Sequence, residues 1–188
     1  MNKRVLVCVS GKRKSGKDYL ANQLKKETKD KGWDTVIVGL SHSLKEEYAR
    51  LNGLRYNDLL SAGDYKEMYR REMIEWGEEK RRIQPDYFVR KALESAGDAQ
   101  IVIVSDCRRM SDLHCLQGKR ILVRVEASLS TRSSRGFAFT RGIDDEESEC
   151  GLDEWKEWDV MVKNDGEGQV GLGIQRIITL LKELIDAK

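Results

Sequence analysis

Val5–Asp18 reads VLVCVSGKRKSGKD: a short apolar run, a basic loop bounded by glycines, then a lysine and an aspartate. The loop residues Gly11, Lys12, Arg13, Lys14, Ser15, Gly16, Lys17 and Asp18 fit G-x-x-x-x-G-K. A strand-like run precedes them and a segment of helical composition follows, which is the context this motif requires. Glycines let successive backbone N–H groups turn toward a phosphate, and the N-terminus of the following helix adds a favourable dipole. Lys17 is expected to reach the β- and γ-phosphates of a nucleotide as a mobile point charge. Asp18 stands where Ser or Thr usually meets magnesium. A carboxylate is also a hard oxygen donor, able to hold Mg²⁺ directly or through water. A Gly/Lys-rich surface turn with a capping aspartate is the competing reading, and the strand–loop–helix setting argues against it.

Working outward, apolar runs rich in β-branched residues recur at Thr35–Ser41, Ile101–Ser105, Ile121–Val125 and Trp158–Lys163. The first three runs of the chain are apolar almost throughout, as expected of strands covered on both faces. Between them lie segments of helical character. Gly16–Lys31 ends before Gly32, and Lys66–Gln84 is closed by Pro85, the only proline. Gln169–Lys188 carries one apolar face from Ile174 to Ile185. Strands alternating with helices imply right-handed crossovers and a parallel sheet. The expected fold is α/β of the P-loop NTPase kind, a doubly wound parallel five-stranded sheet with helices on both faces and a small helical lid, as one domain over residues 1–188.

The 188 residues suffice for one α/β core, and 35% of them are charged. The 34 basic residues against 32 acidic give a net charge of +2, without the basic excess of a nucleic-acid binder. No apolar run reaches membrane-spanning length, and Val5–Val9 is too short for a signal-peptide core. The four cysteines are scattered without CxxC or zinc-ligand spacing, as in a reducing compartment. The C-terminal residues do not match a Ser-Lys-Leu address. A cytosolic monomer is expected, since no long apolar surface stripe is left over.

Further cations gather in three places. Asp106 follows the third apolar run at the end of the sheet where ligands bind, with Arg108 and Arg109 beside it. The position suits a second magnesium-organising carboxylate. In Ser128–Gly151, Arg132 and Arg135 are three apart and share a face if helical. This segment reads as a lid closing over phosphates and excluding water. The middle of the chain adds Lys45, Lys66, Arg70, Lys80 and Arg81, among which composition alone selects none. The set is nearly all cations, with no histidine in a nucleophile motif. Phosphoryl transfer suits it, because catalysis there is mainly positioning and charge neutralisation. An acceptor that is itself a phosphate, with a second pKa of about 6, needs cations and no general base.

Ser10–Asp18, Lys45–Tyr48, Tyr65–Glu67, Trp76–Arg81 (WGEEKR), Val104–Arg109 (VSDCRR) and Asp144–Asp153 (DDEESECGLD) together resemble the animal-type phosphomevalonate kinase family, in the same order over most of the chain. The resemblance implies a nucleoside-monophosphate-kinase-like fold. It also implies transfer of the ATP γ-phosphoryl to mevalonate 5-phosphate, giving mevalonate 5-diphosphate and ADP on the route to isoprenoids and sterols. By matching motif it puts Arg13, Lys14 and Lys17 at the phosphates, and Arg108 and Arg109 at substrate or transferring group. Lys45, Lys66, Arg70 and Arg81 become substrate ligands, Arg132 and Arg135 lid arginines, and Asn164 a border of the nucleotide-base pocket. The family pattern keeps an aspartate after the loop lysine, so Asp18 fits it. A deoxynucleoside-monophosphate kinase is the nearest rival, but it needs a base pocket of aromatic and amide side chains. A non-catalytic nucleotide- or nucleic-acid-binding module is opposed by the near-neutral charge and the lack of aromatic–basic interleaving.

Overall fold

Side chains packed on both faces make β1, Val5–Ser10, the central strand of the sheet, and every one of its residues is buried. The computed structural model describes residues 4–60, 63–166 and 168–187. Lys188, which the sequence places in the last helix, lies outside them. After β1 the elements run α1 (Lys17–Asp30), β2 (Thr35–Val38), α2 (Leu40–Asn52), α3 (Tyr56–Leu60), α4 (Asp64–Ile83) and α5 (Tyr87–Ser95). Then come β3 (Ile101–Cys107), α6 (Met110–Cys115), β4 (Arg120–Glu126), α7 (Leu129–Ser134), α8 (Glu147–Cys150), β5 (Val160–Lys163) and α9 (Gln169–Asp186). The strands pair in parallel in the order β2-β3-β1-β4-β5. Strands are added on one side of β1 up to β3 and on the other side from β4, so the loop after β1 sits at the switch point where α/β sheets bind ligands.

Alternation along the strands divides the core between two helical layers. Val5, Val7, Val9, Ile101, Ile103, Ile121 and Val123 pack against α1 and α9 through Leu20, Leu24, Ile174, Ile177 and Leu181. Leu6, Cys8, Val102, Val104 and Leu122 pack against Leu40, Val89, Ala92 and Leu113 of α2, α5 and α6. Each such aliphatic side chain contributes roughly 1.5–3 kcal/mol on burial. A third cluster of Tyr48, Leu59, Met73, Tyr65, Tyr69 and Trp76 joins α2, α3 and α4 into a helical group beside the sheet. Its closest approach is at Gly77, where a Cβ would lie 2.6 Å from Leu44 Cδ1.

Besides small shifts at β4 (Arg120–Glu126 against Ile121–Val125) and β5 (Val160 against Trp158), two strand ends differ from the sequence reading for one reason. The second strand stops at Val38 rather than Ser41, and the third runs on to Cys107 rather than Ser105. Asp106, at the extended end of β3, accepts the Leu40 N–H at 2.6 Å and the Ser41 N–H at 2.9 Å. It thereby caps α2, a contact between residues 66 apart in the chain that converts Leu40 and Ser41 to helix.

Candidate active site

The turn after β1 is built around two glycines. Gly11 and Gly16 have φ of 152° and 97°, and a Cβ at Gly16 would lie 2.1 Å from Asn164 Nδ2. Lys14 adopts a φ of 62° with its side chain exposed, a strained backbone for a non-glycine residue. Lys17, the first residue of α1, is buried and donates from Nζ to the carbonyls of Gly11 at 2.6 Å and Lys12 at 3.1 Å. Asp18 follows it, exposed on the first turn.

The predicted lid arginines hold this loop from outside. Arg132 Nε donates to the Arg13 carbonyl at 2.7 Å. Arg135, just past α7, donates to Ser15 O at 3.2 Å and to Asn164 O at 2.8 Å. Asn164 in turn donates to Ser15 O at 2.9 Å. Arg132, Arg135 and Asn164 are thus joined to the loop through its carbonyls, while the Ser15 N–H is given within the loop to the Lys12 carbonyl at 3.1 Å.

Arg108 and Arg109 follow β3, and Asp112 turns them by accepting both of their backbone N–H groups at 2.9 and 3.0 Å. Arg108 Nη1 is paired with Glu149 and also donates to Ser148 O at 3.2 Å. Arg109 is paired with Glu78, which lies 3.6 Å from Arg81. The Arg81 guanidinium stacks 4.7 Å from the Phe88 ring centroid. Arg70 is held by Glu67, three residues earlier on α4, at 2.5 Å.

Electrostatics shows which of these cations share one space. Burial, reinforced by Arg108, lowers the Lys17 ammonium to about 7. Burial first and Lys66 second lower Lys45 to about 8, with Arg108 and Arg70 adding to the effect. Lys66 is lowered by burial and by Arg70, Arg108 and Arg13. Burial and Arg109 lower Arg81 in the same way. Burial raises the Asp106 carboxyl, but Arg108 and the hydrogen bonds from Ser41 and Leu40 outweigh it and hold it below the usual range. Like charges are crowded at the end of the sheet, a cost repaid only by anions.

Three buried side-chain polar atoms have no hydrogen-bond partner among the described residues: Ser15 Oγ, Arg108 Nε and Arg109 Nε. Each such atom costs about 1–3 kcal/mol when left so. All three belong to the residues the sequence assigns to phosphates or substrate. With hard oxygen donors at Asp18 and Asp106, the residues fit Mg²⁺ and a polyphosphate. Among the described residues no group of three or more His, Cys, Asp or Glu could hold a metal.

The sequence profile described as phosphomevalonate kinase matches residues 9–121. A curated phosphomevalonate kinase from Drosophila melanogaster is 41% identical over 171 residues, covering 86% of this chain and 89% of its own. The chain belongs to the phosphomevalonate kinase family. Among solved structures, the shikimate kinase of Acinetobacter baumannii in complex with shikimate superposes with a TM-score of 0.53 at 12% identity, covering 100% of this chain and 97% of its own. A sugar kinase from Janibacter gives 0.51 at 16% identity, with 95% of each chain covered. At such identities these likenesses bear on the fold alone, and they agree with the parallel P-loop sheet.

Several residues of this kinase site escaped sequence reading. Arg124 lies inside the apolar run of β4, donates to Ser10 Oγ at 3.1 Å and to Asp153 at 2.8 Å, and lies 5.7 Å from the Trp158 ring. A lone arginine in ILVRV was the available signal. Glu78, Asp144, Glu149 and Asp153, which pair with the site cations, gave no signal beyond membership of WGEEKR and DDEESECGLD.

A pH dependence follows from the lowered lysines. A bound phosphate favours the charged ammonium, so binding must draw protons wherever Lys17 or Lys45 is partly neutral. Calorimetry near pH 8 in buffers of different ionisation enthalpy should show uptake of about one half to one proton per Mg·ATP bound. Mg·ATP affinity should fall as pH rises through about 7, and acceptor affinity as it rises through about 8. Mg·ATP binding without proton uptake would mean that Lys17 is already charged.

Proposed function

We propose that this phosphomevalonate kinase chain transfers the γ-phosphoryl of ATP to mevalonate 5-phosphate with the cleft residues in the following roles. The loop N–H groups of Gly11–Lys17 and the α1 N-terminus receive the ATP phosphates. Lys17 exchanges its contacts with the Gly11 and Lys12 carbonyls for the β- and γ-phosphates. Arg13 and Lys14 extend the positive surface toward the transferring group. Arg135 and Asn164, both bonded to Ser15, belong to the nucleotide side. Lys45, Lys66, Arg70, Arg81, Arg108 and Arg109 receive the acceptor's phosphate and carboxylate. The orphaned Nε donors of Arg108 and Arg109 carry this reading, because an oxyanion is the partner they lack.

Asp18 and Asp106 would hold magnesium, which would supply neutralisation of phosphate charge. Both Asp106 oxygens already accept backbone N–H groups, and each keeps a further lone pair as an acceptor. No side chain need remove a proton, since the attacking phosphate oxygen is already ionised near neutral pH. The cations overcome the repulsion between two anionic substrates and neutralise charge in the transition state. Arg132 and Arg135 carry the 128–151 lid onto the loop. Among the described residues no helix is long and apolar enough to cross a membrane, and a cytosolic monomer completes the reading.

ADP release tests the acceptor. With Mg·ATP, turnover is expected with mevalonate 5-phosphate and to be at least about 10³-fold weaker with nucleoside monophosphates, whose bases find no partners among these cations. Preference for a nucleotide would keep the loop chemistry and overturn the acceptor assignment.

A further inference from the structure

The acidic segment DDEESECGLD has no part in the reaction as described, yet its carboxylates meet the site's cations one by one. Asp144 takes Arg13 Nη1 with both oxygens, at 3.0 and 2.9 Å, and its side chain is 6% exposed. Glu149, 8% exposed, takes Arg108. Asp153 takes Lys12 and Arg124. Phe137 sits against the same group, its ring centroid 5.7 Å from the Arg13 guanidinium and 3.9 Å from that of Arg132. Two loop cations and one arginine after β3 are therefore bound to carboxylates of a single ten-residue segment.

We propose that this segment is an internal counter-anion, in which Asp144 and Glu149 compete with substrate phosphates for the guanidinium groups of Arg13 and Arg108. The proposal rests on the assignment of those arginines to phosphates. Charge-assisted pairs of this kind are strong where both partners are shielded, so an incoming phosphate must displace a carboxylate before it gains the arginine. A single small anion recovers little by displacing one carboxylate while the other stays in place. Two substrates that bring polyphosphate and acceptor phosphate together displace both. The segment thus acts as a specificity device, lowering affinity for stray anions and favouring the ternary complex. Released carboxylates would turn away from the bound phosphates and loosen residues 144–150, while Arg132 and Arg135 keep the first part of the lid on the loop.

Opposite signs separate this role from a structural one. Carboxylates that merely brace the lid would, on neutralisation, leave anions more weakly held. Competing carboxylates would leave them more tightly held. The probe is inorganic tripolyphosphate, its binding followed by calorimetry at constant ionic strength. Asp144→Asn keeps an oxygen that can accept the Thr140 N–H, now 2.8 Å away, and removes the charge. This variant and Glu149→Gln are each expected to bind tripolyphosphate about three- to tenfold more tightly than the unaltered protein. Glu147→Gln removes an exposed charge from the same run and should change binding less than about twofold. Binding unchanged or weakened in both pair variants overturns the proposal. A second readout needs no variant: hydrogen exchange at backbone amides 144–150 should quicken when tripolyphosphate binds, and protection there overturns it equally. Tripolyphosphate that fails to bind the unaltered protein, or binds equally well to Lys17→Met, instead removes the phosphate-site reading beneath it.

Discussion

Lys17→Met should abolish phosphoryl transfer while leaving the fold intact. The expected loss in kcat is about 10³-fold or more, because a preorganised charge that meets the transferring group acts in a water-poor site and has no substitute. The variant should still fold, and its stability relative to the unaltered protein should depend on pH. Lys17 is buried, its ammonium is already lowered to about 7, and its two hydrogen bonds go to loop carbonyls. Methionine matches the length of most of the stem and spares the desolvation of an amine. Between about 7 and the ordinary value of 10.5, the unfolded chain holds a proton on Lys17 that the folded chain lacks. That difference makes the lysine's own contribution to stability rise with pH over this window, and the variant should lose this part of the pH slope. Single-turnover kinetics together with thermal melts from about pH 6 to about pH 11, limits that bracket the window, measure both effects. Transfer within tenfold of the unaltered protein would remove Lys17 from the reaction.

Much of this fold was legible because its signals are local. β1 and its loop, α1 ending before Gly32, α4 closing before Pro85 and the apolar face of α9 follow from periodicity and from chain breakers. What escaped depends on partners distant in sequence. α2 begins at Leu40 because Asp106 caps it from β3, and no window around Leu40 contains that information. The same holds for the site. Its cations stand out as residue types near a motif, and the electrostatics draws Lys45, Lys66, Arg70 and Arg108 together. Arg108 was legible from its place after the third apolar run, but composition could not select Lys45, Lys66 and Arg70 from other helix-surface charges, and only the family resemblance did. The pairing of Arg13 with Asp144 and of Arg108 with Glu149 spans 131 and 41 residues. An acidic run whose sequence looks solvated is therefore bound to the site by tertiary contacts alone.

Arg108→Met is expected to cut kcat/KM about 10²–10³-fold, the scale for losing one charge-stabilising donor. It should also displace the alkaline limb of the pH profile, which a bracing residue would not do. The reasoning starts from Lys17, whose ammonium is depressed by burial and then by the Arg108 charge. Removing that charge lets Lys17 stay protonated to higher pH. Maximal activity should fall while its alkaline limb moves upward. Arg108→Lys supplies the complementary test. It restores a charge, so the limb should return toward its original position. It cannot restore the planar fork or the Nε donor, so most of the lost rate should remain lost. Rate and limb would then be separated, the first following guanidinium geometry and the second following charge. A limb that stays fixed in Arg108→Met would remove its action through Lys17, and a lysine variant with full activity would remove the role of guanidinium geometry.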